Sequence, residues 1–381
     1  MTTALVYDPI FLEHLTPADH PEQPERVRRV METLKALNWL EREGLVQLTP
    51  RAASEEELAL IHTPAYIRRV EHAAERTARL EAESGRKTRF FATDTYVSAR
   101  SYEAAIHAAG APLTAIDALI AGKINNAYCL VRPPGHHALA DSAMGFCLFN
   151  NVAIAARYAI EKHGLERVMI IDYDVHHGNG TQDAFYEDPH VLYFSTHQAP
   201  FYPGTGLSDE RGAGPGFGTT VNVPLPATTE YGTYEAIFRQ VMAPLADRFE
   251  PQLILVSAGF DAHFTDPLGQ MYLSTPAFFH LNKIILDLAD LLCDGRVIMI
   301  QEGGYNLDAM ACCASTCIHQ LLGGDAAVDS LGPAPEKEFV LNLDVLIGEL
   351  RRIHHLKGYR MRNAPKPDVE RLRREVKGPD A

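Results

Sequence analysis

What most limits the fold of this chain is a pattern that recurs six times: a short run of β-branched or apolar residues ends in a polar, glycine-rich turn, and a helical pattern follows. The runs are Ala4–Tyr7, Ala127–Val131, Val168–Asp172, Val191–Ser195, Leu253–Ser257 and Val297–Gln301. A strand that is apolar nearly throughout has no face to offer water, so both of its faces must be covered. Helices between such strands supply the two covering layers, which predicts an α/β fold with a mostly parallel central sheet. Helical patterns run over Ala104–Leu119, Val152–Glu161, Tyr234–Ala246 and Phe278–Leu292, the last opened by Ser274-Thr275-Pro276 and closed by Gly295. No internal repeat or low-complexity run divides the chain, and 381 residues with 46% hydrophobic content can bury one large core. The expectation is one doubly wound domain over residues 1–350 and a basic extension over 351–381.

The extension stands apart by charge. From Arg351 to Ala381 there are 10 Lys/Arg against 4 Asp/Glu, a surplus of 6 in a chain whose formal net charge is −14, so the body carries about −20. A body that acidic argues against direct nucleic-acid binding by residues 1–350. The tail reads as a solvated extension or as a contact arm for a neighbouring subunit, and a homo-oligomer is compatible with it. No stretch approaches the roughly 18 apolar residues of a membrane span, and the start of the chain has no export-signal pattern, so a cytoplasmic protein is expected. The six cysteines show no paired spacing and are expected as free thiols, with Cys312, Cys313 and Cys317 on one helix.

In open parallel sheets ligands bind beyond the carboxyl ends of the strands, so chemistry is sought just after each run. After Val168–Asp172 the chain reads Asp172-Tyr173-Asp174-Val175-His176-His177-Gly178-Asn179-Gly180. At an extended period of two, Asp172, Asp174 and His176 would share one side. Leu253–Ser257 is followed by Gly259-Phe260-Asp261. Two carboxylates and one imidazole from Asp174, His176 and Asp261 would leave a coordination position open, as in a catalytic zinc site, and the same set could hold Fe(II) or Co(II). A lone aspartate after a strand is more often a helix cap and a lone histidine a satisfied polar residue; the combination is what points to a metal.

Ala127–Val131 ends in Arg132-Pro133-Pro134-Gly135-His136-His137, a stiff turn that would present two imidazoles able to carry protons near neutrality. Val297–Gln301 ends in Glu302-Gly303-Gly304-Tyr305, where a phenolic hydroxyl could donate to a developing oxyanion. The Pro/Gly-rich stretches Phe201–Gly206 and Gly212–Gly218 are expected to lie over the site.

These four segments, in this order and spacing, resemble the histone deacetylase and acetylpolyamine amidohydrolase superfamily, over roughly Ala4 to Gly323. The resemblance implies the single-domain, three-layer arginase-deacetylase fold and a hydrolase that removes acetyl or other acyl groups from the ε-amine of lysine in proteins or peptides. It further implies that Asp174, His176 and Asp261 hold one zinc per chain, that His137 is general base and acid, that His136 pairs with Asp172, and that Tyr305 polarises the amide carbonyl. Asn179 stands where one branch of the family has an aspartate, which should leave His137 neutral; with Glu302 and Asp266-Pro267-Leu268 it is similar to the class II branch. Phe146 and Tyr202, with Gly145, correspond to the wall of the acyl-lysine channel and Asp94 to a rim residue that grips the substrate backbone. Leu268 occupies the position where a polyamine-selective branch carries a glutamate. A potassium site is implied at Asp172, Asp174, His176, Ser195 and Thr196.

Three rivals follow. A small-amide or acetylpolyamine deacylase could use the same site. A binuclear manganese ureohydrolase of the same fold would need more carboxylates than these motifs supply. A non-catalytic acyl-lysine reader would not need the full set of residues.

Overall fold

The computed structural model describes residues 1–335 and 341–362. Its centre is an eight-stranded sheet built from β1 (Thr3–Val6), β2 (Leu45–Leu48), β5 (Asn126–Cys129), β6 (Val168–Asp172), β7 (Val191–Gln198), β8 (Thr220–Leu225), β9 (Leu253–Ala258) and β10 (Val297–Gln301). All neighbours pair in parallel, in the order β2-β1-β5-β10-β9-β6-β7-β8. A separate antiparallel hairpin, β3 (Thr88–Ala92) and β4 (Thr95–Ser98), carries Asp94 at its turn.

The six apolar runs are the strands β1, β5, β6, β7, β9 and β10. Every residue of these strands is buried, because helices cover both faces. Ser101–Ile120 and Asn151–His163 pack on each other and on β5, β6 and β9. Glu25–Ala36, Thr275–Cys293 and Leu307–Leu321 form a second group that packs on β1, β5 and β9. This is the three-layer arrangement expected for one α/β domain. The edge strands β2 and β8 escape the apolar pattern: β2 is half exposed, and β8 carries Asn222 and Pro224.

The helix expected over Tyr234–Ala246 is broken. Tyr231–Ile237 is α-helical, Phe238–Met242 forms a π turn, and Ala243–Phe249 resumes the α-helix. Pro244 has no N–H to give to the Gln240 carbonyl and its ring crowds it, so the helix widens there. That carbonyl accepts instead from the Arg351 guanidinium. The helix Leu343–Ile353 thus docks the start of the basic segment on the body, and Tyr359 continues the contact by donating to Asp247 Oδ2 at 2.8 Å. The remainder of the segment, 363–381, lies outside the described residues. Among the described residues no helix is long and apolar enough to cross a membrane, and all six cysteines are free and buried.

The strand order explains where chemistry can gather. β5, β10, β9 and β6 are consecutive neighbours at the centre of the sheet, and all point the same way, so the segments that follow them meet above one edge. Those four segments are the ones that carry the tandem histidines, Tyr305, Asp261 and the Asp174/His176 pair.

Candidate functional site

β6 stops at Asp172, and beyond it the chain turns rather than extends. Asp172 Oδ1 accepts from the Asp174 amide at 3.2 Å, and Asp174 Oδ1 from the His176 amide at 2.9 Å. Two side-chain-to-backbone turns in succession, not a strand period of two, therefore bring Asp174 beside His176, and Asp172 points elsewhere. Asp261 arrives from β9 and is fixed by the Val175 amide, which donates to its Oδ1 at 2.8 Å. His176 Nδ1 then lies 3.1 Å from both Asp174 Oδ1 and Asp261 Oδ2, and a ligand atom from each residue lies within 4.8 Å of the others.

This donor set fits a small divalent ion. Ligands at zinc bond lengths in a tetrahedral shell sit roughly 3.3 Å apart, close to the spacing found. Two glycines keep the space: a Cβ at Gly259 would sit 2.0 Å from Asp174 Oδ2, and one at Gly303 2.1 Å from Asp261 Oδ2. The Gly303 amide donates to Asp174 Oδ2 at 2.8 Å, which fixes that carboxylate. Burial and the nearby Asp174 push the Asp261 carboxyl up to about 7, whereas His136 and His176 hold Asp174 down against its burial. His176 resists burial and rises to about 10 because both carboxylates face it. Buried charge this dense calls for a cation.

The turn after β5 is held from below. Glu302 Oε2 accepts from the Gly135 amide at 2.6 Å and from the His136 amide at 3.2 Å, so the two imidazoles have separate, fixed directions. His136 Nδ1 meets Asp172 Oδ2 at 3.1 Å; His137 Nδ1 meets Asn179 Oδ1 at 2.8 Å. The Asn179 amide nitrogen faces the His137 carbonyl at 3.4 Å, so its oxygen faces the ring. His137 Nδ1 must then donate, and Nε2 keeps a lone pair. Burial works against a charge on His136, but Asp174 and Asp172 raise it to about 10. On His137 burial and the charges of His136 and His176 act together and press it well below the ordinary histidine range. One imidazole is built to carry charge and its neighbour to stay neutral.

Tyr305 closes the ring of groups. Its amide donates to Asp266 Oδ2 at 2.6 Å, and its ring lies beneath the Arg26 guanidinium, 4.8 Å from the centroid. Burial raises its phenol far above the usual value, so the hydroxyl keeps its proton. A cavity of about 420 Å³ opens here, lined by His137, His176, Tyr305, Phe146, Phe201, Tyr202, Leu268 and Asp94, among others. Gly145 is required by closeness as well as by its φ of 56°: a Cβ there would lie 2.1 Å from His137 Cδ2. Phe146 follows with a φ of 68°, an uncommon value for a side-chain-bearing residue. Asp94 Oδ1 accepts from the Gly145 amide at 3.0 Å and ties the hairpin turn to this wall.

The other residues singled out in the sequence lie just beneath. Asp172 pairs in register with Ser195, Ser195 Oγ lies 2.9 Å from His197 Nδ1, and the buried Thr196 hydroxyl has no partner among the described residues. Phe201–Gly206 does border the cavity, but Gly212–Gly218 does not. Because β8 runs parallel to β7, the chain must return along the sheet between them, and this second stretch ends at the opposite edge.

Sequence reasoning missed the support. Glu22 accepts from Arg26 and, with both oxygens, from Arg132, and all three are fully buried; Arg26 also donates to the carbonyls of Gly304 and Glu302. Despite its burial, the Glu22 carboxyl is lowered to about 2 by Arg132, His14 and Arg26. The only signal was Glu22 four residues before Arg26, which reads as an ordinary surface pair on a helix.

A model of the histone deacetylase domain matches residues 20–321. The chain belongs to the histone deacetylase family. It is 41% identical over 313 residues to the chloroplastic histone deacetylase 10 of Oryza sativa subsp. japonica, covering 80% of this chain and 70% of that one. It is 41% identical over 346 residues to the polyamine deacetylase HDAC10 of Homo sapiens, covering 87% of this chain but 50% of the relative. The solved HDA15 HD domain superposes with a TM-score of 0.81 at 34% identity, covering 93% of this chain and 94% of that one. The family and the fold make this chain a deacetylase.

Proposed function

We propose that the chain removes acetyl groups from the ε-amine of lysine in peptides or proteins, with Asp174, His176 and Asp261 holding one zinc ion. The observation that carries this reading is that His176, which meets Asp174 and Asp261, lines one cavity together with His137 and Tyr305. A zinc ion held there supplies Lewis acidity to an amide carbonyl and lowers the pKa of water.

The chain's own groups do the rest. His137 Nε2, free because Nδ1 is committed to Asn179, takes a proton from the attacking water and returns it to the departing amine. The Tyr305 hydroxyl donates to the carbonyl oxygen as negative charge grows on it, a role for which its raised pKa suits it. His136, charged and paired with Asp172, keeps the proton on its own ring and discourages a second charge on His137. Phe146 and Tyr202 line the route of an aliphatic acyl-lysine stem, and the carboxylate of Asp94 at the rim is positioned for substrate backbone amides. A potassium ion at Asp172, Ser195 and Thr196 would satisfy the unpartnered Thr196 hydroxyl.

A second reading is supported by the human relative, which is named a polyamine deacetylase. Against it, the mouth of this cavity presents Leu268, an apolar side chain that offers a second ammonium nothing. Comparing kcat/KM on an acetyl-lysine peptide and on an acetylated polyamine separates the two. A preference for the polyamine would overturn the proposal.

A further inference from the structure

At the amino ends of β7 and β8, on the sheet edge opposite the site just described, lies a second cavity of about 370 Å³. The separation is the length of β7, roughly 23 Å at 3.3 Å per residue. Leu192, Leu245 and Phe249 make an apolar wall; Arg211, Arg248, His354 and His355 also line the cavity, and no carboxylate does so among the described residues.

The cations here are unmatched. Neither arginine is ion-paired among the described residues, although the body of the chain is strongly acidic. The Arg211 guanidinium lies over the Phe217 ring, 4.7 Å from its centroid, and its buried Nε has no hydrogen-bond partner among the described residues. His354 is 2% exposed, yet among the described residues neither of its ring nitrogens has a partner. Arg248 Nη1 reaches the His354 carbonyl at 3.0 Å and so holds the side of the cavity made by the last described helix. A buried imidazole with two unmet nitrogens, beside a guanidinium whose Nε is buried and unmet, would cost stability in a purely structural role. Burial first, and then the charges of Arg211, Arg248 and His355, press His354 down to about 4, so its ring is neutral here.

We propose that this cavity binds a small organic oxyanion, its phosphate or carboxylate head held by Arg211, Arg248 and His354 and its apolar body against Leu192, Leu245 and Phe249. Guanidinia supply forked donors suited to either head group, and a neutral imidazole supplies a further N–H. The apolar wall favours an aromatic or aliphatic body over a bare ion.

The test is calorimetric titration of the full chain with inorganic phosphate, phenyl phosphate and benzoate at constant ionic strength. One saturable site per chain is expected, with an aromatic anion tighter than inorganic phosphate. Arg211→Gln and Arg248→Gln should each weaken it roughly tenfold or more, the size of a lost charge-assisted hydrogen bond. Arg248 is exposed, so its variant folds even if the Arg211 variant does not; Arg79→Gln, on an exposed helix face, should change nothing. Whichever aromatic anion binds tighter identifies the head group. No saturable binding, or binding that both variants leave unchanged, would overturn the assignment; the latter places the anion elsewhere on the chain.

Discussion

Asn179 Oδ1 lies 2.8 Å from His137 Nδ1, so the histidine proposed to move the proton leans on a neutral amide while its neighbour leans on a carboxylate. The difference is one atom in one side chain. Asn179→Asp would place a charge against His137 and favour its imidazolium, raising its pKa by roughly 1 unit or more. The acid limb of the kcat/KM profile should therefore move to higher pH, as read from rates between pH 5 and 9. An unmoved limb would take His137 out of the role of base.

Tyr305→Phe removes the proposed oxyanion donor without touching the three metal-competent residues. A fall in kcat of roughly 10²–10³ is expected with metal content unchanged, as for other lost oxyanion donors. A variant that turns over at the normal rate would require the donor to be sought elsewhere.

Gly303→Ala tests the space around the ion with the donors all left in place. The added Cβ would meet Asp261 Oδ2 at 2.1 Å and Asp174 Oδ2 at 2.5 Å, contacts that must displace one carboxylate. Metal analysis should show loss of most bound metal, together with activity. Full occupancy would mean that the two carboxylates are not held where the ion needs them.

Leu268→Glu places a carboxylate where the cavity wall is now apolar. The ratio of kcat/KM for an acetylated polyamine to that for an acetyl-lysine peptide should rise, by about tenfold for one partly screened ion pair worth roughly 1 kcal/mol or somewhat more. A ratio that does not rise would show that Leu268 does not set the choice.

Acid should unfold the protein through histidines that the fold keeps neutral. His62 donates from Nδ1 to the Leu139 carbonyl and accepts the Asn150 amide at Nε2, both at 2.9 Å, and burial lowers it to about 4. His14 and His197 are lowered to about 3, in each case chiefly by burial. The unfolded chain takes up these protons near pH 6.5 and the folded chain only near 3–4, so between these values the unfolded state binds more protons and stability falls with pH. Each such group gives up to about 1.4 kcal/mol per pH unit, offset in part by Asp261 and Glu302, whose carboxyls burial pushes up to about 7. Urea unfolding of chelator-treated protein at pH 7.5, 5.5 and 4.5 checks this; a flat dependence would contradict it.

The central strands were legible because each is apolar from end to end, a demand that only a twice-covered parallel sheet meets. β2 and β8 were not, since edge strands need cover on fewer sides and their residues are mixed. The site residues could be read because four neighbouring strands deliver four short, polar motifs, so local sequence sufficed to find each one. What could not be read was anything carried by residues far apart in the chain: Glu22 beneath Arg132, Glu302 beneath the Gly135 and His136 amides, and Arg26 over Tyr305. Each is an isolated charge in its own segment and acquires a meaning only when the fold buries it. The turn geometry at Asp174 was hidden for a related reason, since a strand period assumed past Asp172 groups Asp172 with Asp174 and His176, whereas the turns send Asp172 to His136.

The most direct measurement of the central claim is turnover of an acetyl-lysine peptide by metal-stripped protein as zinc is added back. Activity should rise from the baseline to a plateau at one equivalent per chain, and Asp261→Ala should neither retain the metal nor turn over. A plateau that needs two equivalents, or deacetylation that persists without metal, would contradict it.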